Sequence, residues 1–103
     1  MTGARILERV MFAFEGEGVP PWIERRLAEA PAAGVTLFMA VNVMRLAQVR
    51  ELTAAVQRAA SATTGTLLIA ADQEGGQLNA LGADATQFAG NMALGAVDDE
   101  SLT

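Results

Sequence analysis

The chain has 103 residues, a net charge of −5 and 51% hydrophobic residues, a balance that bounds it to one ordered domain and argues against nucleic acid or an anionic membrane surface as partner. It contains no cysteine, no histidine and no lysine, and its seven basic residues are all arginine. Disulfides, thiolate metal sites, the usual general base near neutral pH and any Ser-His or Cys-His pair are thereby excluded, which leaves carboxylates, arginine and backbone dipoles.

Residues 4–14 support two readings. The first is a short helix from Gly3 to Arg9 followed by a strand from Val10 to Phe14, and the second is one helix through Phe14, because Ile6, Leu7, Val10, Met11 and Phe14 recur at helical spacing. EGEGVP, residues 15–20, is a turn. A helix starts near Pro20-Pro21, where proline's fixed φ suits a first turn, and Pro31 ends it. Its expected apolar face is Trp22, Ile23, Leu27 and Ala30, with Glu24, Arg25, Arg26 and Glu29 turned away. Val35 to Val41 is apolar almost throughout, as in a parallel strand covered on both faces. Leu46, Val49, Leu52, Val56 and Ala59 then mark a helix from about Met44 to Ala60, with Gln48 and Gln57 among the residues of its other faces. Ser61 to Gly65 is its exit loop, and Thr66 to Ala71 is a third strand.

Strand, helix, strand, helix, strand at this spacing predicts an α/β fold of consecutive βα units with parallel strands. Residues 77–97 show scattered apolar positions and no steady period. Asp98 to Ser101 reads as the acidic first turn of a further helix. No apolar run is long enough to span a membrane. Glu8 and Arg9 interrupt the apolar N-terminal stretch that a signal peptide would need, so a cytoplasmic location is expected.

The chemistry is concentrated where the third strand ends, in ADQEGGQL at 71–78. Asp72 either caps the turn after its strand or contacts a ligand at the strand end. Glu74 lies too near in sequence for the two carboxylates to act as an opposed acid/base pair, which requires a separation of ~5–9 Å. Glu74 is expected to hold loop amides, and Gly75-Gly76 to supply special backbone angles. Two acidic residues are too few to argue for a metal, and no cofactor is expected. EGEG at 15–18 follows a strand and precedes a helix, as a phosphate loop does. It lacks the third glycine of that pattern, where Pro21 stands, and it sets two negative charges where phosphate would lie. Asn42, after the second strand, either faces a site or holds a turn.

ADQEGGQL at 71–78, followed by TQFAGNMALGAV at 86–97, resembles the N-terminal part of the glycoside hydrolase family 3 barrel, the bacterial β-N-acetylhexosaminidases in particular. Their pattern is D-x-E-G-G-R-V at a strand end and then a loop with T-x-F-P-x-x-M-A-L-G-A. GVTLFMAVN at 34–42 and RVMFAFEG at 9–16 are similar to the second and first strands of that barrel. The resemblance spans nearly the whole chain. It implies about the first three of the eight units of a (β/α)8 TIM barrel. Residues 1–103 would be a partial family 3 domain that stops before its third helix.

The implied activity is hydrolysis of β-linked N-acetylglucosamine-type sugars with retention, through a carboxylate nucleophile and a separate acid/base. In the family these lie on a late strand and on a mobile histidine-bearing loop, so no catalytic residue is expected in this chain, and the chain alone is expected to be inactive. Asp72 matches the family position that accepts hydrogen bonds from sugar hydroxyls, which makes it the expected substrate-binding residue. Glu74, Gly75 and Gly76 match the site loop. Gln77 and Ala80 stand where the family has arginines, and Ala89 where it has proline. The implied partner is a carbohydrate. A homo-oligomer, or association with the remainder of the barrel, follows from three strands that do not close on themselves. The alternative is a non-catalytic α/β module that self-associates or complements a partner chain.

Overall fold

A computed structural model describes residues 3–102. Three short strands form a parallel sheet in the order β1-β2-β3: Met11–Phe12, Gly34–Leu37 and Leu68–Ala71. Helix α1, Gly3–Leu7, precedes β1, so residues 4–14 are a helix and a strand and not one helix. Helix α2, Pro21–Glu29, and helix α3, Leu46–Ala60, are the two crossovers. The expected α/β alternation with parallel strands is therefore present, as an open sheet.

In register, Val35 lies beside Phe12 and Ile69, and Leu37 lies beside Ala71. Val35 and Leu37 pack against Ile23 and Leu27 of α2 and Leu52, Val56 and Ala60 of α3, with Phe14 and Leu67 completing the core. Burying side chains of this size stabilises by about 1.5–3 kcal/mol each. The opposite face of the sheet has no such cover. Met11, Gly34 and Leu68 share one register level there, and Leu68 is 64% exposed. The apolar run after Val35 was expected to be covered on both faces. It is covered on one, because both crossover helices lie on that side.

Five helix-face expectations, for Trp22, Arg26, Leu46, Gln48 and Gln57, are corrected by the same geometry. Trp22 is half exposed, because the buried stripe of α2 runs through Ile23 and Leu27 and Trp22 sits about 100° away from Ile23. Arg26, three residues from Ile23, lies partly on that stripe instead of turning away. It stacks over the Phe12 ring at 5.2 Å, and its Nη1 donates to the Ala30 carbonyl at 3.1 Å. In α3 the buried stripe is Gln48, Leu52, Val56 and Ala60, at steps of four, while Leu46 is exposed. Gln57 is also tied inward: its amide donates to the Leu67 carbonyl at 2.7 Å and accepts from the Leu67 N–H at 3.0 Å.

Residues 73–102 carry more structure than their pattern predicts. Strands β4, Gln73–Gly75, and β5, Leu78–Asn79, form an antiparallel hairpin directly after β3. A 3-10 turn covers Gly82–Asp84, and helix α4 covers Asn91–Val97. None of the residues of α4 is buried, so no apolar face disciplined its sequence and no period was there to read. Asp98, at φ 53°, ends α4 in the left-handed region, which places it after a helix and not at the start of one. A 3-10 turn follows at Glu100–Leu102.

Candidate functional site

The three parallel strands point their C-terminal ends the same way, and Asp72 is the first residue beyond β3. Its carbonyl accepts from the Ala80 N–H at 3.0 Å, so the hairpin folds back over the end of the strand. Asp72, Asn79, Ala80 and Leu78 then line one side of a cleft of about 180 Å³, and Leu37, Phe38 and Met39 from the end of β2 line the other. Asp72 itself is exposed. A carboxylate in such a place can accept paired bonds from neighbouring hydroxyls.

The glycine pair sits at the turn of the hairpin. Gly75 and Gly76 have φ of 79° and 59°, a region that other L-residues enter at a cost. Space is limiting as well. A Cβ on Gly75 would stand 2.8 Å from the Ala89 carbonyl oxygen, and one on Gly76 would stand 3.1 Å from Gly90 Cα. The Gly76 N–H also donates to the Phe88 carbonyl at 3.0 Å. The two sequence blocks, 71–78 and 86–97, are thus in direct backbone contact. Between them lies a second cleft of about 370 Å³, lined by Glu74, Gly75, Gly76, Gln77, Leu78, Gly90, Asn91, Met92 and Ala93.

The two carboxylates go to different places. Asp72 lines the first cleft and Glu74 the second. No group of three or more acidic residues that could hold a metal ion is found among the described residues. Gln77 and Ala80 separate in the same way: Gln77 lines the cleft with Glu74, and Ala80, 4% exposed, lines the cleft with Asp72. An arginine at position 77 would therefore stand in the other cleft from Asp72, whereas position 80 shares the cleft with it.

Glu74 is exposed, and its carboxylate makes no hydrogen bond among the described residues. Gln73 and Asn79 hold the hairpin instead. Gln73 Oε1 accepts from the Leu81 N–H at 3.0 Å, Gln73 Nε2 donates to Asn79 Oδ1 at 3.4 Å, and Asn79 Nδ2 donates to the Gly76 carbonyl at 2.9 Å. These two amides went unnoticed in the sequence. The one available signal was their position beside the glycine pair, since amide side chains bridge tight turns.

The loop 15–18 offers its carbonyls, not its amides, to the protein interior. Asn42 Nδ2 donates to the Phe14 carbonyl at 2.8 Å and the Gly16 carbonyl at 3.1 Å, and Gln48 Nε2 donates to the Glu17 carbonyl at 2.6 Å. These bonds tie the loop to the turn after β2 and to the start of α3. Asn42 is fully buried, so of its two expected roles the turn-holding one is realised.

No family model matches the chain, and no curated protein sequence matches it. Solved structures do. A glycoside hydrolase family 3 β-N-acetylglucosaminidase from Paenibacillus sp. str. FPU-7 superposes with a TM-score of 0.86 at 33% identity, over 99% of this chain and 19% of that one. A fungal multi-domain β-N-acetylglucosaminidase of the same family, with a glucosamine N-acetyltransferase region, superposes with a TM-score of 0.82 at 33% identity, over 92% of this chain and 11% of that one. Across its length the chain has the fold of a segment of glycoside hydrolase family 3 β-N-acetylglucosaminidases, in agreement with the resemblance in sequence. It spans about a fifth of the first of these structures and about a tenth of the second.

Proposed function

We propose that the chain is the N-terminal part of a glycoside hydrolase family 3 barrel that hydrolyses β-linked N-acetylglucosamine-type sugars with retention, and that Asp72 holds hydroxyls of the bound sugar. The observation that carries this is the placing of Asp72: a carboxylate at the C-terminal end of a parallel strand, in a cleft closed on one side by a glycine hairpin and on the other by the end of the neighbouring strand. The 33% identity with two β-N-acetylglucosaminidases supports the same substrate class. The chain supplies binding and not chemistry. It has no histidine, and its two candidate carboxylates line separate clefts, so the nucleophile and acid/base that retaining hydrolysis needs come from elsewhere in the barrel. The uncovered sheet face, with Met11 and Leu68 exposed, is the surface that the remaining strands and their interior side chains would cover.

Titration of N-acetylglucosamine against the chain, followed by the backbone amide resonances, tests this. The resonances of Asp72, Asn79 and Ala80 are expected to move with saturation, and Asp72→Ala is expected to remove the response. Equal affinity in the two proteins would overturn the role given to Asp72.

A further inference from the structure

Two buried polar side chains, Asn42 at 0% and Gln48 at 6% exposure, lie behind the Phe38 side of the Asp72 cleft, and neither is among the residues that line it. Asn42 uses every group it has. Its Nδ2 donates to the Phe14 and Gly16 carbonyls, its Oδ1 accepts from the Phe38 N–H at 3.0 Å, and its own carbonyl accepts from Gln48 Nε2 at 2.9 Å. Gln48 adds its bond to the Glu17 carbonyl and accepts from the Met44 N–H at 3.2 Å. The pair thus joins three segments: the chain leaving β1, the turn leaving β2 and the start of α3.

The turn leaving β2 needs this support. Phe38 O accepts from the N–H groups of Val41, Asn42 and Val43, at 3.2, 2.9 and 3.3 Å, so three successive N–H groups converge on one carbonyl. Ala40 is held at φ 59°, a conformation that a non-glycine residue keeps only where its surroundings over-determine it. Phe38 and Met39, which this turn presents, are the cleft wall opposite Asp72. Both side chains are about half exposed, so packing holds them only in part, and the buried amide of Asn42 holds the backbone that carries them.

We infer that Asn42, backed by Gln48, is a positioning residue for the sugar cleft: it sets the distance of the Phe38–Met39 wall from Asp72 without touching the ligand. The inference rests on the sugar-site reading above. A comparison of Asn42→Ala and Gln48→Ala with Gln57→Ala tests it. Gln57 is the control because its amide pairs with Leu67 at the opposite end of β3 and is equally structural. All three are measured well below their melting temperatures.

Asn42→Ala is expected to weaken N-acetylglucosamine binding by about tenfold, as a displaced positioning wall does, with Gln48→Ala intermediate and Gln57→Ala within about twofold of the parent. Without sugar, Asn42→Ala is expected to shift the Asp72 and Ala80 amide resonances across the cleft, and Gln57→Ala to leave them in place. Equal effects of Asn42→Ala and Gln57→Ala on affinity, or unmoved Asp72 and Ala80 resonances, would overturn it. Should Asn42→Ala not fold, Gln48→Ala decides by the same two readouts. A parent chain that binds no sugar counts against the sugar site alone, and the cross-cleft resonances then decide the positioning role.

Discussion

At the scale of single residues, glycine positions carry much of the constraint near the site. Gly34 has an ordinary backbone, yet a Cβ there would lie 2.4 Å from the Leu68 carbonyl oxygen of the neighbouring strand. Gly34→Ala is therefore expected to destabilise by about 1–3 kcal/mol, the usual cost of overpacking against something that cannot rotate aside, and a thermal melt reads it directly. Gly75→Ala meets both a positive φ and the Ala89 carbonyl, so it is expected to cost at least as much and to loosen the hairpin around Asp72. The reasons for these glycines differ in legibility. The pair at 75–76 announces a turn in the sequence. Gly34 does not, because its requirement comes from a strand 34 residues away in register, Leu68.

One carboxylate near the C-terminal end can be followed by pH. Asp99 Oδ1 accepts from the Ser101 hydroxyl at 2.7 Å and the Ser101 N–H at 3.0 Å, and these bonds hold its carboxyl below the ordinary aspartate value. Because the folded form is the more acidic, whatever the cap contributes is present above the unfolded aspartate value and is lost as pH falls through the lowered one. A carboxyl-detected titration is expected to give Asp99 a midpoint below that of a free aspartate, and Ser101→Ala is expected to raise it. An unchanged midpoint in Ser101→Ala would remove the hydroxyl bond as its cause.

At the scale of elements, the sheet has one working face. Leu27, fully buried under it, is expected to cost about 2–5 kcal/mol when replaced by alanine, while Leu68→Ala on the open face is expected to stay within about 0.5 kcal/mol in the same melt. If the two substitutions cost alike, something covers the open face in solution. Much of this arrangement was readable. The strand–helix alternation and the α2 and α3 spans follow from apolar period and from Pro21, Pro31 and the breaks around them. The face assignments did not all follow. Gln48 stands at a core step of α3 because its amide has carbonyls of the chain after β1 to bind, a tertiary fact with no local trace. Trp22 belongs to the apolar face by residue type, yet the stripe that Ile23 and Leu27 define leaves it at the margin. The hairpin β4-β5 is two to three residues a strand, too short to show an alternation.

At the scale of the whole molecule, the chain is a set of βα units with its core on one side of the sheet and a cleft at the strand ends. The candidate site was legible as far as the motif DQEGG could show it, namely that Asp72 and a glycine turn follow a strand; the strand itself, expected to be buried, has no buried residue. The wall opposite Asp72 was not legible, because Leu37, Phe38 and Met39 come from the neighbouring strand, and the buried amides of Asn42 and Gln48 behind it join separate segments. Position 77 illustrates the difference between a motif and a place. Gln77→Arg is expected to leave N-acetylglucosamine affinity within about twofold, since residue 77 opens onto the other cleft. A gain of tenfold or more would put it beside the sugar.

On the proposed reading, this chain holds the sugar without carrying the reaction. The most direct test is release of the aryl group from an aryl β-N-acetylglucosaminide, measured on a sample whose binding of N-acetylglucosamine at Asp72 has been verified. No release above the buffer blank is expected, because the proposed reading places the nucleophile and acid/base in the remainder of the barrel. Release that rises with the concentration of the chain and is lost in Asp72→Ala would contradict the account.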